Sequence, residues 1–312
     1  MNVSEEAMPV ATAAVRSRRS HTPERRRLRE SWPLVLPAVI LSIVLVVFPI
    51  LYATGLALSP RDATNVDLGK LTFDTFHAMF LDPVFWSSVG VTMLIYVGSL
   101  IPQLVLGTLI GYVMSRDVPG ARVLQTFTLV PSLTAAVVVG LVWLLIYDPT
   151  LGVLNYLLGL VGVSAQDWLG DPNHVVWSLI LVDIWQWTPL VALIVSAGIR
   201  NLPTEPFEAA RVDGANAWQV GWRIGLPLLR PIITVVALLR TVDLIRYFDT
   251  GYIMTQGGPL NASTTMNIYA YRNAFAQLRL TFGSAAQIAL FALVLVFAGV
   301  FTWLRRRSEL DA

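Results

Sequence analysis

The stretch FEAARVDGANAWQVGWRIGLPLLRP, Phe207 to Pro231, decides how the rest of the chain is read. It lies between two long apolar runs in a chain whose residues are 55% hydrophobic, and it is polar where its neighbours are not. Thr204 is placed to cap a helix that tolerates Pro206 in its first turn, where a missing amide proton has no partner to lose. That helix should run to about Asp213 and stop at Gly214, since glycine enters the left-handed conformation cheaply after a helix end. Asn216 can cap a second short helix through Trp218 and Trp222 toward Ile224, and Pro227 is expected to break the chain before the next apolar run. The product is a small helix–turn–helix. Phe207, Ala210 and Gly214 share one face of its first helix, and Glu208 and Arg211 project from another.

Outward from this segment, the chain is built for a bilayer. Only 13% of its residues are charged, about half the usual ~25%. Spanning the hydrocarbon core takes ~20 mostly apolar helical residues, and six runs qualify: Trp32–Leu58, Phe85–Met114, Val123–Tyr147, Val175–Ile199, Leu228–Ile253 and Ser284–Leu304. The expected class is all-α, a polytopic membrane protein with six transmembrane helices. Residues 1–31 form a polar, Arg-rich arm with no apolar periodicity, expected to be disordered or to lie on the membrane surface, and 32–58 is expected to be a retained first span. The absence of cysteine removes disulfides, thiolate metal sites and cysteine nucleophiles. Lys70 is the one lysine, and the arginines are scattered near the ends of apolar runs, which does not suggest a nucleic-acid partner.

Basic residues are retained on the cytoplasmic side of a membrane. With the N-terminus inside, the arm, Arg116, Arg122, Arg200, Arg211, Arg223, Arg230 and Arg305–Arg307 are cytoplasmic. Only Arg61, Lys70, Arg272 and Arg279 lie outside, while Arg240 and Arg246 fall within the fifth run. Both termini and the Phe207–Pro231 segment are therefore expected in the cytoplasm.

The spacing Glu208-Ala209-Ala210, three residues, Gly214, nine residues, Ile224, one residue, Leu226-Pro227 resembles the EAA loop of bacterial ABC importer permeases at every defined position. A second stretch, RYFDTGYIMTQGGPLNASTTMNIYAYRNAF from Arg246 to Phe275, is similar to the segment after the fifth span in the MalF/UgpA-like carbohydrate permeases. The resemblance covers roughly 85–307, with the loop at 201–227, and implies a type I ABC importer transmembrane fold in the bacterial cytoplasmic membrane. It also implies a coupling role for Glu208, Ala209, Ala210, Arg211, Asp213, Gly214, Ile224, Leu226 and Pro227, seated in a cleft of a separate ATP-binding subunit. The implied partners are a second homologous permease, two ATP-binding subunits and an extracytoplasmic solute-binding protein. No cofactor is expected in this chain, with ATP and Mg bound by the partner ATPase. In keeping with this, no G-x-x-x-x-G-K-[ST] phosphate loop occurs.

Charges inside the bilayer cost ~2.5–3.5 kcal/mol each even on insertion scales, so they should face a partner or a wet cavity. Arg240, Asp243, Arg246 and Asp249 alternate in sign at a spacing of three, which allows each arginine an aspartate one turn away on the same helix. The structural reading is a self-neutralising ladder or a set of pairs locking this span to its neighbours; the functional one is a wall of a solute path, and the readings can coexist. Asp183 and Gln186 in the fourth run, beside Trp187 and a potential break at Pro189, have a sugar-binding composition, because hydroxyls need donors and acceptors and ring C–H faces pack on aromatics. Candidate solute-path residues are Asp183, Gln186, Trp187, Arg240, Asp243, Arg246 and Tyr247. Gln103 and Gln287 are read as interhelical amides, and Gly257–Pro259 as a turn.

Two other classes compete. An ion-gradient-driven secondary transporter using Asp183 or Asp243 would predict inverted repeats, which are not evident, and leaves the Glu208–Pro227 spacing unexplained. An intramembrane enzyme lacks its base: His21, His77 and His174 all lie outside the runs, and there is no H-E-x-x-H, so neither a catalytic residue nor a metal site is expected.

Overall fold

A computed structural model describes residues 35–61, 64–67, 69–116 and 121–310. The arm at 1–31, the first residues of the first run and most of the loop bearing Arg122 lie outside the described residues. Those described contain helices and no strand. The chain divides into a unit ending at Leu51 and a second from Tyr52 onward. Within the first, the apolar helix α1, Val35–Ala57, begins, and its described residues before Leu51 are exposed.

The second unit is ordered around two long helices. α2 (Asp74–Phe80) leads into α3 (Pro83–Met114), which starts where Asp82 Oδ1 accepts from the Val84 amide at 2.9 Å and a proline occupies the first turn. α4 (Ala121–Leu133), α5 (Ala136–Ile146) and α6 (Val153–Leu160) follow, then α7 (Val175–Arg200). With 32 and 26 residues, α3 and α7 are each long enough to cross a bilayer. They pack through small residues. A Cβ at Gly107 would stand 2.5 Å from Val191 Cγ1, and one at Gly111 would stand 2.7 Å from the Ala192 carbonyl oxygen. This small-xxx-small pair lets the two backbones approach, which is how helices associate where lipid removes the hydrophobic drive.

The connector expected from the Phe207–Pro231 stretch is α8 (Glu205–Val212) followed by α9 (Ala217–Val220). A π-turn, Gly221–Gly225, joins α9 without interruption to α10 (Leu226–Ile245). α11 (Asp249–Thr255), α12 (Met266–Tyr271) with its own π-turn at Arg272–Ala276, and α13 (Leu280–Leu310) complete the fold.

Four helices among the described residues are both long and apolar enough to span: Val35–Ala57, Pro83–Met114, Val175–Arg200 and Leu280–Trp303. The third and fifth expected runs are each split instead. The third parts at Thr134–Ala135, where Ala135 is extended (φ −59°, ψ 137°), just after Pro131. The fifth parts at Arg246–Phe248. The two detached halves meet each other: Gly140 of α5 faces Ile253 of α11, and Thr250 Oγ1 donates to the Ala136 carbonyl at 3.5 Å. Two anticipated breaks do not occur. α7 runs through Pro189, and the backbone is helical through Pro227, because the π-turn before it pairs the Leu226 amide with the Gly221 carbonyl.

Candidate functional site: a buried ion cluster and an exposed helical knob

The best-connected polar side chains lie where α3, α7 and α10 meet. Arg240 of α10 is 2% exposed and Asp183 of α7 is 3% exposed. Arg240 Nη2 donates to Asp183 Oδ2 at 3.1 Å, its Nε donates to Gln103 Oε1 at 3.0 Å, and its Nη1 donates to Asp243 Oδ2 at 3.3 Å. Gln103 Nε2 donates to Asp183 Oδ2 at 2.6 Å, closing a ring of three residues from three helices. Trp187, one turn along α7 from Asp183, lies under the guanidinium with 4.7 Å from Cζ to the ring centroid. A buried arginine with its fork shared between two carboxylates and an amide is the arrangement that makes a buried charge tolerable.

The structure thus brings together Asp183, Trp187, Arg240 and Asp243 and sets the other candidates apart. The expected ladder of same-helix pairs is present only as Arg240–Asp243. Its other half is absent because α10 ends at Ile245, leaving Arg246 in the break and Asp249 at the start of α11. Neither makes an ion pair among the described residues, and both are exposed. Gln186 turns toward the α4–α5 break, its Nε2 donating to the Thr134 carbonyl at 3.4 Å. The Tyr247 hydroxyl is buried without a partner, as is Trp143 Nε1. Gln287 is exposed on α13 and makes no hydrogen bond among the described residues. Gln103 is the interhelical amide expected, but the identity of its partners, Asp183 and Arg240, has no local sequence signal, since they are 80 and 137 positions away.

The second element is the knob. α8 has no fully buried residue. Glu208, Ala209, Arg211, Asp213, Gly214 and Pro227 are exposed, whereas Ala210, Ile224 and Leu226 are half-buried. Phe207 lies against Gly225, 3.7 Å from the position a Cβ would take there, which seats the knob on the π-turn. Thr204 precedes the helix but its side chain makes no capping bond, because its backbone is already helical (φ −81°, ψ −27°). Gly214 turns the chain at φ +76°, a conformation costly to a residue with a Cβ. Asn216 then forms a capping box: its Oδ1 accepts from the Gln219 amide and Gln219 Oε1 accepts from the Asn216 amide, both at 2.9 Å. Trp218 and Trp222 pair at 5.3 Å on the exposed side of the same helix.

At the opposite end of α10, the break exposes an aromatic cluster. Phe248 stacks on Tyr252 at 5.1 Å and 12°, and Tyr271 lies 5.2 Å from Phe248 and 5.0 Å from Tyr252. Asn267 Nδ2 donates to the Arg246 carbonyl at 3.0 Å, tying α12 to the break. Gly257 (φ +88°) and Pro259 form the expected turn beyond α11.

Among the described residues no group of histidine, cysteine, aspartate or glutamate could hold a metal. Residues 103–309 match the family described as "Binding-protein-dependent transport system inner membrane component". The chain is 30% identical over 277 residues to the trehalose/maltose transport system permease protein MalF of Thermococcus litoralis, covering 88% of this chain and 93% of that one. It is 32% identical over 289 residues to the trehalose transport system permease protein SugA of Mycobacterium tuberculosis, with 92% of each covered. A similar solved structure is a bacterial alginate ABC transporter in complex with an alginate pentasaccharide-bound periplasmic protein. It has a TM-score of 0.80 at 22% identity and covers 90% of this chain and 96% of that one, a likeness of fold.

Proposed function

Because the chain belongs to the family of inner membrane components of binding-protein-dependent transport systems, we propose that it forms part of the pore of an ATP-driven sugar importer and is driven through the α8 knob. The observation that carries this reading is mechanical. A helix with no buried residue is joined, after one glycine turn, to helix without a break from Ala217 to Ile245, and that helix bears Arg240 in the buried cluster. A displacement of Glu208–Gly214 by a partner therefore has a stiff route to Asp183 and Trp187. Twenty residues of α10 extend about 30 Å, the thickness of the hydrocarbon core.

In this reading Glu208, Arg211 and Asp213 are the polar contacts for an ATP-binding subunit, which binds ATP and Mg. This multi-pass chain has no phosphate loop of its own. A second permease completes the pore, an extracytoplasmic binding protein delivers the solute, and both termini are cytoplasmic, the side that carries the excess of arginine. The solute class is neutral or polyhydroxy sugar, as the names of MalF and SugA suggest. Trp187 offers an aromatic face and Asp243, 55% exposed, offers an acceptor for hydroxyls.

The test is uptake by the reconstituted complex with Glu208→Ala and Gly214→Ala combined. Sugar accumulation should be lost or the ATP-binding subunit should fail to co-purify. Undiminished uptake, or an intact chain that recovers no ATP-binding subunit, defeats the reading.

A further inference from the structure

The α10–α11 break assembles a patch that the buried cluster does not use. Phe248, Tyr252 and Tyr271 pack ring on ring, and Phe275, 65% exposed, extends them with its ring 5.1 Å from that of Tyr271. Arg246 and Asp249 flank Phe248 in sequence, both exposed and without ion pairs among the described residues. Asn267 binds the Arg246 carbonyl one helical turn before Tyr271, which ties the backbone of the break to the helix that carries that ring. A lipid-facing belt would use the rings and seat Arg246 on headgroup phosphates, but it offers the Asp249 carboxylate no donor. A sugar ring uses all of it: C–H faces pack on the aromatic faces, Asp249 accepts from hydroxyls and Arg246 donates to them. The hydroxyl of Tyr247, next to Arg246 in the chain, is buried without a partner.

We propose that Phe248, Tyr252, Tyr271 and Phe275, with Arg246 and Asp249, form an outer carbohydrate subsite. It lies at the end of α10 remote from the α8 knob and receives the sugar before the Asp183–Arg240 cluster does. This rests on the sugar-import reading and adds a site to it.

The experiment measures binding of radiolabelled trehalose and maltose by equilibrium dialysis to the assembled permease–ATPase complex in nanodiscs, without the binding protein. Tyr271→Ala and Phe275→Ala each remove an exposed ring and should raise the half-saturating concentration about tenfold, the scale of one lost aromatic contact. Tyr271→Phe should stay near wild type. Unaltered binding in both alanine variants means that the rings face lipid, and this overturns the subsite. Loss of the second permease from the purified complex means that the rings form a protein interface, which overturns it equally. A wild-type complex that binds neither sugar, with the Glu208/Gly214 coupling test also failing, brings down the sugar-import reading and the subsite with it. Wild-type binding that survives the ring deletions defeats the subsite alone.

Discussion

Replacing Asp183 with asparagine tests whether the buried cluster holds α7 to α10. The change keeps the side-chain shape and one acceptor oxygen, so what is lost is charge. At 3.1 Å and an effective dielectric constant of ~20, the Arg240–Asp183 attraction is about 5 kcal/mol before desolvation. Breaking one side of a buried pair costs about 3–5 kcal/mol, because the remaining charge stays buried. Asp243 still reaches Arg240 at 3.3 Å from a half-exposed position, so the lower end, about 3 kcal/mol, is expected. For a domain of this size that corresponds to a fall in Tm of roughly 6–12 °C. Adding Arg240→Met removes the stranded charge and should restore most of the loss. The assay is the monodisperse fraction of the assembled complex, read by gel filtration after heating. If Asp183→Asn melts with wild type, or if the double variant is the least stable of the set, the cluster does not hold the helices together.

Gly107→Val places a branched side chain where even a Cβ lies 2.5 Å from Val191, so α3 and α7 must separate; expression of monodisperse protein should fall sharply, and retained yield contradicts the packing. Gly214→Ala strains a turn at φ +76° by about 1 kcal/mol, and sugar uptake per ATP hydrolysed should drop with little change in thermal stability. Asp148, in the loop after α5, accepts from the Leu151 and Thr150 amides and the Thr150 hydroxyl, which lower its pKa below the ordinary 3.8. A carboxylate depressed by folding stabilises above its unfolded pKa, and that contribution fades as the pH falls through the folded value. Protection of the Thr150 and Leu151 amides from hydrogen exchange, taken relative to the intrinsic rate at each pH, should therefore fall only below pH 3.8, and Asp148→Asn should remove the dependence.

The sequence makes local geometry legible and leaves distant pairing hidden. Gly214 and Asn216 act where their chemistry places them, because a left-handed turn and a capping box are settled within four residues. The Arg–Asp spacing in the fifth run allows a ladder or pairs that lock the span to its neighbours, and the i, i+3 rule names only the partners on one helix. Arg240 instead turns to Asp183, 57 positions away, and to Gln103, 137 positions away. The breaks in the third and fifth runs are marked only weakly, by Pro131 before one and by Arg246 and Asp249 around the other, and it is the contact between α5 and α11 that lets each half leave its line. Pro227 misleads in the opposite direction. It follows a turn that is wider than α, and the helix continues through it.

That wide turn fixes how the connector tolerates changes in length. A π-turn is an α-turn with one residue added, and it absorbs the addition without rotating the helix beyond it. Deleting a residue within Gly221–Gly225 would close the shaft to plain α-helix and leave Arg240 still aimed at Asp183. The same deletion between Leu229 and Leu239 would swing Arg240 about 100° around the axis, away from both carboxylate and amide. The chain thus carries a spare residue of slack where the knob joins the span and none beyond it.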